Sequence, residues 1–145
     1  MTASSCVLRG GRAILPGDGL TVCDIAIENG KIAAILAPGT FFDAQSINVT
    51  GLVIMPGAID PHLHLGHGKD ISRPREKQDA DGETAAAAAG GVTCFIPYLM
   101  ATEPYDTVFD DVRKVTEDGA RIDFGYHFVI STEDQLKGVP DYVSR

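Results

Sequence analysis

Two histidines separated by one residue, His62 and His64, are the side chains of this 145-residue sequence best suited to chemistry. Side chains alternate between faces along an extended strand, so this pair would point to one side with Cα atoms roughly 6.6 Å apart. Zinc–imidazole bonds are about 2.0–2.1 Å long, and two imidazoles at that spacing can lean together to hold one ion. The pair predicts a metal site, although an isolated His-x-His is more often two surface histidines or satisfied core residues.

The residues before the pair favour the metal interpretation. The apolar run Leu52–Met55 precedes it and resumes at Ala58 and Ile59, as is typical of a strand buried on both faces of a sheet. Asp60 lies on the same predicted face as the histidines. Catalytic residues of parallel barrels lie at the C-terminal ends of strands, and the histidines end this run just before the break at Gly66–Gly68.

The remaining histidines are weaker candidates. His67 comes three residues after His64 and is a possible third ligand, but glycines on both sides make its position mobile. His127 lies on the predicted strand Ile122–Ile130, on the face opposite Phe124. A role there as polar filling of the interior competes with metal binding, and the position falls short of the strand's C-terminal end.

Alternating strands and helices predict an α/β fold with a parallel sheet over residues 51–145. Apolar residues at helical spacing indicate an amphipathic helix with a proline near its first turn, and a Thr132/Gln135 capping-box pattern opens the last helix. The predicted elements are a strand through His64, a helix containing Glu83–Ala89 with Asp79 or Asp81 as its cap, a strand Val92–Ile96 with a loop 97–100 after it, a helix Pro104–Asp118, and the strand Ile122–Ile130.

Residues 1–50 have the pattern of a small all-β unit of sandwich type. Asn29-Gly30 lies between two alternating runs and is the strongest short-range hairpin signal in the chain. Gly10-Gly11 predicts a second two-residue turn, because glycine tolerates positive φ. This unit contains no cluster of titratable residues that suggests chemistry, so we expect it to be a scaffold.

Four segments resemble the amidohydrolase superfamily. Pro56–His64 is similar to its opening metal motif, Asp24–Ile35 to the hairpin before that motif, and Thr84–Thr93 to its first barrel helix and second strand. Asp123–Ile130 is similar to the third strand of the dihydropyrimidinase and hydantoinase branch. The resemblance covers nearly the whole chain and implies the first three βα units of a TIM-like (β/α)₈ barrel, over residues 51–145, after a β unit at 1–50.

Length argues that this barrel cannot close. A complete barrel needs about 250 residues, whereas three βα units of about 30 residues each account for all the residues after the β unit. The resemblance implies two zinc ions held by His62, His64, a carboxylated lysine, two further histidines and an aspartate. Lys137 lies in a helical or loop segment rather than at a strand end. We therefore expect the catalytic residues beyond Arg145, and an inactive N-terminal portion that holds at most one ion weakly.

The activity implied by the resemblance is hydrolysis of a cyclic amide such as a dihydropyrimidine or hydantoin by a metal-activated water. Dihydroorotase-like relatives usually carry an arginine where this chain has Gly66, which favours the hydantoinase branch and leaves allantoinase open. A non-enzymatic interpretation also stays open, in which the chain is a fragment or a dihydropyrimidinase-like assembly protein that associates through an exposed sheet edge. The resemblance implies a homo-oligomer for the intact protein.

Composition limits the partners. The formal net charge of −8 disfavours nucleic acid, because no basic patch is available to neutralise phosphates. No apolar run approaches the roughly 20 residues that span a bilayer, and residues 1–6 lack the features of a signal peptide. Three widely spaced cysteines, Cys6, Cys23 and Cys94, make neither a disulfide framework nor a zinc motif. These features predict a cytoplasmic location and no nucleic-acid or membrane partner, and the resemblance implies a small-molecule substrate.

Overall fold

A computed structural model describes residues 5–144 and divides the chain into two compact units, Met1–Pro56 and Gly57–Arg145. The N-terminal segment that lacks signal-peptide features falls mostly on residues 1–4, which lie outside the described range. Within residues 5–144, none of the helices has the length and apolar character needed to span a bilayer. The second unit begins at Gly57, a few residues later than the predicted boundary at 50/51.

A five-stranded sheet forms the first unit. The strands are β1 (Ser5–Leu15), β2 (Gly19–Glu28), β3 (Lys31–Leu36), β4 (Gln45–Asn48) and β5 (Val53–Ile54). The antiparallel neighbours β1, β2 and β3 lie in sequence order in the sheet, and two short strands, β4 and β5, pair in parallel with the free edge of β1. The predicted hairpin turn at Asn29-Gly30 is confirmed, since both residues have positive φ, 53° and 72°, as a two-residue turn of this type requires.

The predicted turn at Gly10-Gly11 is wrong. β1 runs through both glycines, and its register against β2 shifts between Leu8 and Gly11. Gly10 has a φ of +76°, and a Cβ there would collide with the Thr50 hydroxyl. The two glycines therefore form a β-bulge, in which one strand carries extra residues opposite its partner. The chain reverses instead at residues 16–18.

The prediction that Leu52–Met55 begins the histidine strand is also wrong. Val53 and Ile54 pair with Arg12 and Ala13 of β1, so this apolar run belongs to the first unit. Within the run, Ile54 packs against the cluster around Ala13, whereas Leu52, Val53 and Met55 are exposed. The strand that carries the histidines begins later, at Ala58.

A buried ion pair, for which the sequence pattern contains no signal, ties the first sheet together. The Asp24 carboxylate, in a residue only 1% exposed, accepts hydrogen bonds from the Arg9 guanidinium at 2.8 Å, the Gly10 N–H at 3.0 Å and the Gly39 N–H at 2.9 Å. The hydrogen bond from Gly10 is the largest of several effects that hold the pKa of Asp24 below its usual value. This cluster is a structural element of the scaffold.

Parallel strands alternate with helices in the second unit, as predicted. The elements are β6 (Ala58–Leu63), α1 (Lys77–Ala89), β7 (Val92–Leu99), α2 (Tyr105–Gly119), β8 (Asp123–Phe124), β9 (His127–Phe128) and α3 (Glu133–Val143). β7 is central, with β6 on one side and both β8 and β9 on the other, and every pairing is parallel. This mixed α/β arrangement is the fold class that the sequence predicts, and the incomplete barrel of three βα units stays a prediction.

Three predicted boundaries in this unit need correction. The second strand continues through Pro97 to Leu99, where a loop was expected. The third strand is interrupted at residues 125–126 and forms β8 and β9. The first helix begins at Lys77, and Asp79 occupies its third position, accepting hydrogen bonds from the N–H groups before the helix, so it is not the N-cap residue itself.

The helices pack on one face of the parallel sheet. α2 buries the face that includes Tyr105, Val108 and Val112 against Leu99 of β7 and Tyr142 of α3. Gly119 in the last turn of α2 has no room for a Cβ, because that atom would collide with the Lys77 backbone oxygen of α1. The predicted capping box of α3 is confirmed by hydrogen bonds in both directions between Thr132 and Gln135.

Candidate metal site

The two histidines of the central motif lie on the sheet face opposite the helices. Leu63 and Leu65 pack with Phe95 around Ala80 of α1, so the alternation of an extended chain sends His62 and His64 to the other side. Their ring centroids are 5.7 Å apart, and the ring planes make an angle of 77°. Both residues are exposed.

This geometry suits two ligands of one ion. The centroid separation of 5.7 Å is close to the roughly 5 Å expected for two imidazoles on one tetrahedral ion with Zn–N bonds of about 2.0–2.1 Å. Catalytic zinc normally has three protein ligands, and residues 5–144 contain no group of three or more His, Cys, Asp or Glu side chains able to hold a metal ion. The pair therefore fits part of a metal site rather than a complete one.

A tyrosine that the sequence placed in a loop packs against both imidazoles. The Tyr98 ring centroid lies 4.5 Å from that of His62 and 5.8 Å from that of His64. Buried Phe95, Pro97 and Leu99 alternate with less buried residues along β7, which places the Tyr98 side chain on the opposite face, with the histidines. The sequence did not reveal this part of the strand, because the run is apolar throughout and proline rarely occurs inside a sheet.

His127 joins the same row of rings. Its centroid is 4.7 Å from that of Tyr98, and β9 pairs with β7 at Tyr98 and Leu99. Phe128 stacks on Tyr105 on the helix side of the sheet, so the predicted alternation of the third strand survives its interruption. His127 is half-buried. Three neighbouring strands thus bring His62, His64, Tyr98 and His127 to one face.

His67 is engaged elsewhere. Its Nδ1 lies 3.2 Å from a carboxylate oxygen of Asp79 in the first turn of α1, and its Nε2 lies 3.7 Å from Glu76. Burial alone would raise the pKa of Asp79, but hydrogen bonds from the N–H groups of Arg75 and Glu76, together with His67, lower it below the usual value. The described residues therefore do not bring His67 into a cluster with the His62/His64 pair.

Gly66 is required by the loop after the pair. A Cβ at this position would collide with the backbone oxygen of Asp70 and lie 2.6 Å from Ile71 Cα. The loop is closed by reciprocal backbone hydrogen bonds between His67 and Asp70, at 2.7 and 3.0 Å. Glycine thus has a packing reason here that does not depend on the substrate.

Lys137 does not approach the pair. It lies on α3, exposed to solvent, and its ammonium group is 3.3 Å from a carboxylate oxygen of Asp134. This agrees with its predicted place in a helical segment rather than at the end of a strand.

Comparison with known proteins identifies relatives with named activities, although no family model matches the chain. It is 34% identical to D-hydantoinase of Geobacillus stearothermophilus over 83% of the chain and 26% of that protein. It is 40% identical to allantoinase of Solibacter usitatus over 68% of the chain and 21% of that protein. Dihydroorotases are also among the similar proteins.

A solved structure matches most of the fold. The crystal structure of a D-hydantoinase superposes with a TM-score of 0.79 at 28% sequence identity, over 97% of this chain and 31% of that one. The chain thus spans about a quarter of the length of the Geobacillus relative, 26%, and just under a third of the solved one. Both comparisons cover the motif residues and the first parallel strands.

Proposed function

The chain belongs to the amidohydrolase superfamily, in its cyclic amidohydrolase branch, and from this we propose that it supplies the first two metal ligands of a metal-dependent hydrolase of cyclic amide bonds. The observation that carries the proposal is the placement of His62 and His64 side by side at the end of the first parallel strand. Three protein ligands are usual for catalytic zinc, so the activity belongs to a protein with ligands additional to these residues.

The chain's own residues account for part of the chemistry. His62 in β6 and His64 just after this strand place their imidazole rings side by side, and the hydrogen bond from the His62 N–H to the Asp60 carboxylate, 3.0 Å long, fixes the backbone at the pair. A divalent ion bound there would supply Lewis acidity and lower the pKa of a bound water. Tyr98 packs against the His62 ring on this face, and on the helix side of the sheet Leu63 and Leu65 pack in an apolar cluster.

For the substrate we propose a hydantoin or dihydropyrimidine ring. Support comes from the solved D-hydantoinase, with its TM-score of 0.79, and from the D-hydantoinase relatives. Gly66 carries less weight than the sequence suggested, because the loop needs glycine on packing grounds. Allantoin is the alternative ring, favoured by the 40% identity to an allantoinase.

Zinc binding and ring opening test the proposal together. Zinc affinity is measured by competition with a coloured chelator for the wild-type chain, His62→Ala, His64→Ala and the control His67→Ala. Opening of hydantoin, dihydrouracil and allantoin is monitored for the chain and for a form extended with the coding sequence downstream of residue 145. We expect each of the first two substitutions to remove zinc binding, the control to retain it, and ring opening in the extended form alone.

Two results would overturn the proposal. Zinc affinity unchanged in His62→Ala and His64→Ala would show that the pair is not the site. An extended form that binds no zinc, opens none of the three rings and self-associates with rising concentration would replace the enzyme by an assembly role.

A further inference from the structure

The orientation of the two imidazoles matters for metal binding. A histidine that binds a metal almost always donates its second ring N–H to a carboxylate, a backbone carbonyl or water, which fixes the ring plane. Among residues 5–144, neither His62 nor His64 has a ring nitrogen hydrogen-bonded to another protein group. Rotation about the bond to an imidazole ring is broad and weakly restrained by itself. Contacts between the imidazoles and neighbouring rings are therefore the protein contacts that can restrain the two planes.

Tyr98 is in the position to do so. Its ring packs on His62 with a centroid distance of 4.5 Å and a tilt of 42°, and on His64 with 5.8 Å and 37°. On its other side it packs on His127 with 4.7 Å and 33°. The ring is therefore held between side chains of β6 and β9, the strands on either side of its own.

The backbone under Tyr98 is itself fixed. The next residue, Leu99, is 1% exposed, and its carbonyl oxygen accepts hydrogen bonds from the Tyr105 hydroxyl at 2.7 Å and the Val129 N–H at 3.0 Å. Among the described residues, the Tyr98 hydroxyl has no hydrogen-bond partner, so the contacts that locate this side chain are those of its ring.

We propose that Tyr98 is the positioning residue of the metal pair, with its ring restraining the planes of the two imidazoles that it packs against. The inference rests on the proposed function of His62 and His64. It assigns the effect to the flat face of the ring and not to the hydroxyl. Phenylalanine at this position should therefore suffice, whereas an aliphatic side chain of similar bulk should not.

The first measurement needs no metal. In the NMR spectrum of the metal-free chain, the ring protons of His62 and His64 should show the ring-current shifts that a neighbouring aromatic ring causes. These shifts should persist in Tyr98→Phe and become smaller in Tyr98→Leu, where only the mutual contact of the two imidazoles remains. Random-coil shifts for both histidines in the wild-type chain would overturn the inference by themselves, whatever the chain does with zinc.

The second measurement is zinc affinity of the same variants, by chelator competition. We expect Tyr98→Leu to bind zinc about tenfold more weakly, the lower end of the range for residues that orient metal ligands, and Tyr98→Phe to stay within about twofold of wild type. Tyr126→Leu is the matched control. Tyr126 packs on Phe109 and Phe124 on the helix side of the sheet, so its loss should lower stability and leave zinc affinity unchanged.

The outcomes separate this inference from the proposed function. Wild-type affinity in Tyr98→Leu, with zinc binding still lost in His62→Ala, would overturn the positioning role and leave the metal pair intact. Equal losses in Tyr98→Phe and Tyr98→Leu would assign the effect to the hydroxyl and also overturn it. A wild-type chain that binds no zinc would overturn both.

Discussion

The hydroxyl of Tyr105 joins the ends of two strands that carry the candidate site. It lies 2.7 Å from the Leu99 carbonyl oxygen and 2.6 Å from that of Val129, and shares one proton between them. The residue is fully buried, and burial raises the pKa of Tyr105 to about 12, so the hydroxyl stays a neutral donor at working pH. Leu99 is the next residue after Tyr98, and Val129 lies two residues after His127.

Replacing Tyr105 with phenylalanine removes this donor and little else. The ring keeps its stacking on Phe128, at a centroid distance of 4.7 Å, and Leu99 keeps a donor in the Val129 N–H. The part-buried Val129 oxygen loses the Tyr105 hydroxyl, and the net loss of a hydrogen bond of this kind costs about 0.5–1.5 kcal/mol. For a unit of this size each kcal/mol lowers the melting temperature by about 4–8 °C.

Urea unfolding monitored by circular dichroism measures the loss as a lower midpoint at an unchanged slope. Tyr98→Phe is the control, because among the described residues the Tyr98 hydroxyl has no hydrogen-bond partner, so its removal should leave the midpoint unchanged. A Tyr105→Phe midpoint equal to that of wild type or of Tyr98→Phe would refute the argument that this hydroxyl stabilises the two strand ends.

Two further predictions concern the loop and the scaffold. Gly66→Ala forces a Cβ against the Asp70 oxygen and should destabilise the chain by about 1–3 kcal/mol in urea unfolding. The control Gly82→Ala lies in a helix with open space around it and should stabilise the chain by about 0.4–1 kcal/mol. Equal effects of the two substitutions would contradict the packing explanation for Gly66. Because the folded pKa of Asp24 is lowered, its carboxylate stabilises above the ordinary aspartate pKa, and this stability is lost as pH falls through the lowered value. Asp24→Asn should be less stable than wild type at pH 7, with the two curves converging in acid; a gap independent of pH would contradict this.

Features that involve only residues close together in the sequence could be determined from the sequence alone. The Asn29-Gly30 turn needs only two residues that tolerate positive φ. The Thr132/Gln135 capping box closes within one helical turn. The shared face of His62 and His64 results from the two-residue repeat of an extended chain. Each is local geometry, so residue type and spacing were sufficient.

Pairing between distant segments was decided by the tertiary structure. Gly10-Gly11 suits a turn and a bulge equally, and only the register of β1 against β2 distinguishes them. The apolar run Leu52–Met55 is compatible with a strand in either sheet, and only its pairing with β1 shows that it belongs to the first unit. Such contacts join residues far apart in sequence, which the periodicity of a single segment does not encode.

The same division runs through the candidate site. The imidazole pair was predicted from the sequence, whereas Tyr98 belongs to the candidate site only because β7 continues through Pro97 between two parallel strands. His67, three residues from His64, instead contacts the Asp79 carboxylate at the start of α1. Spacing along the chain fixes which side chains share a face, whereas the packing of strands and helices fixes which of them meet.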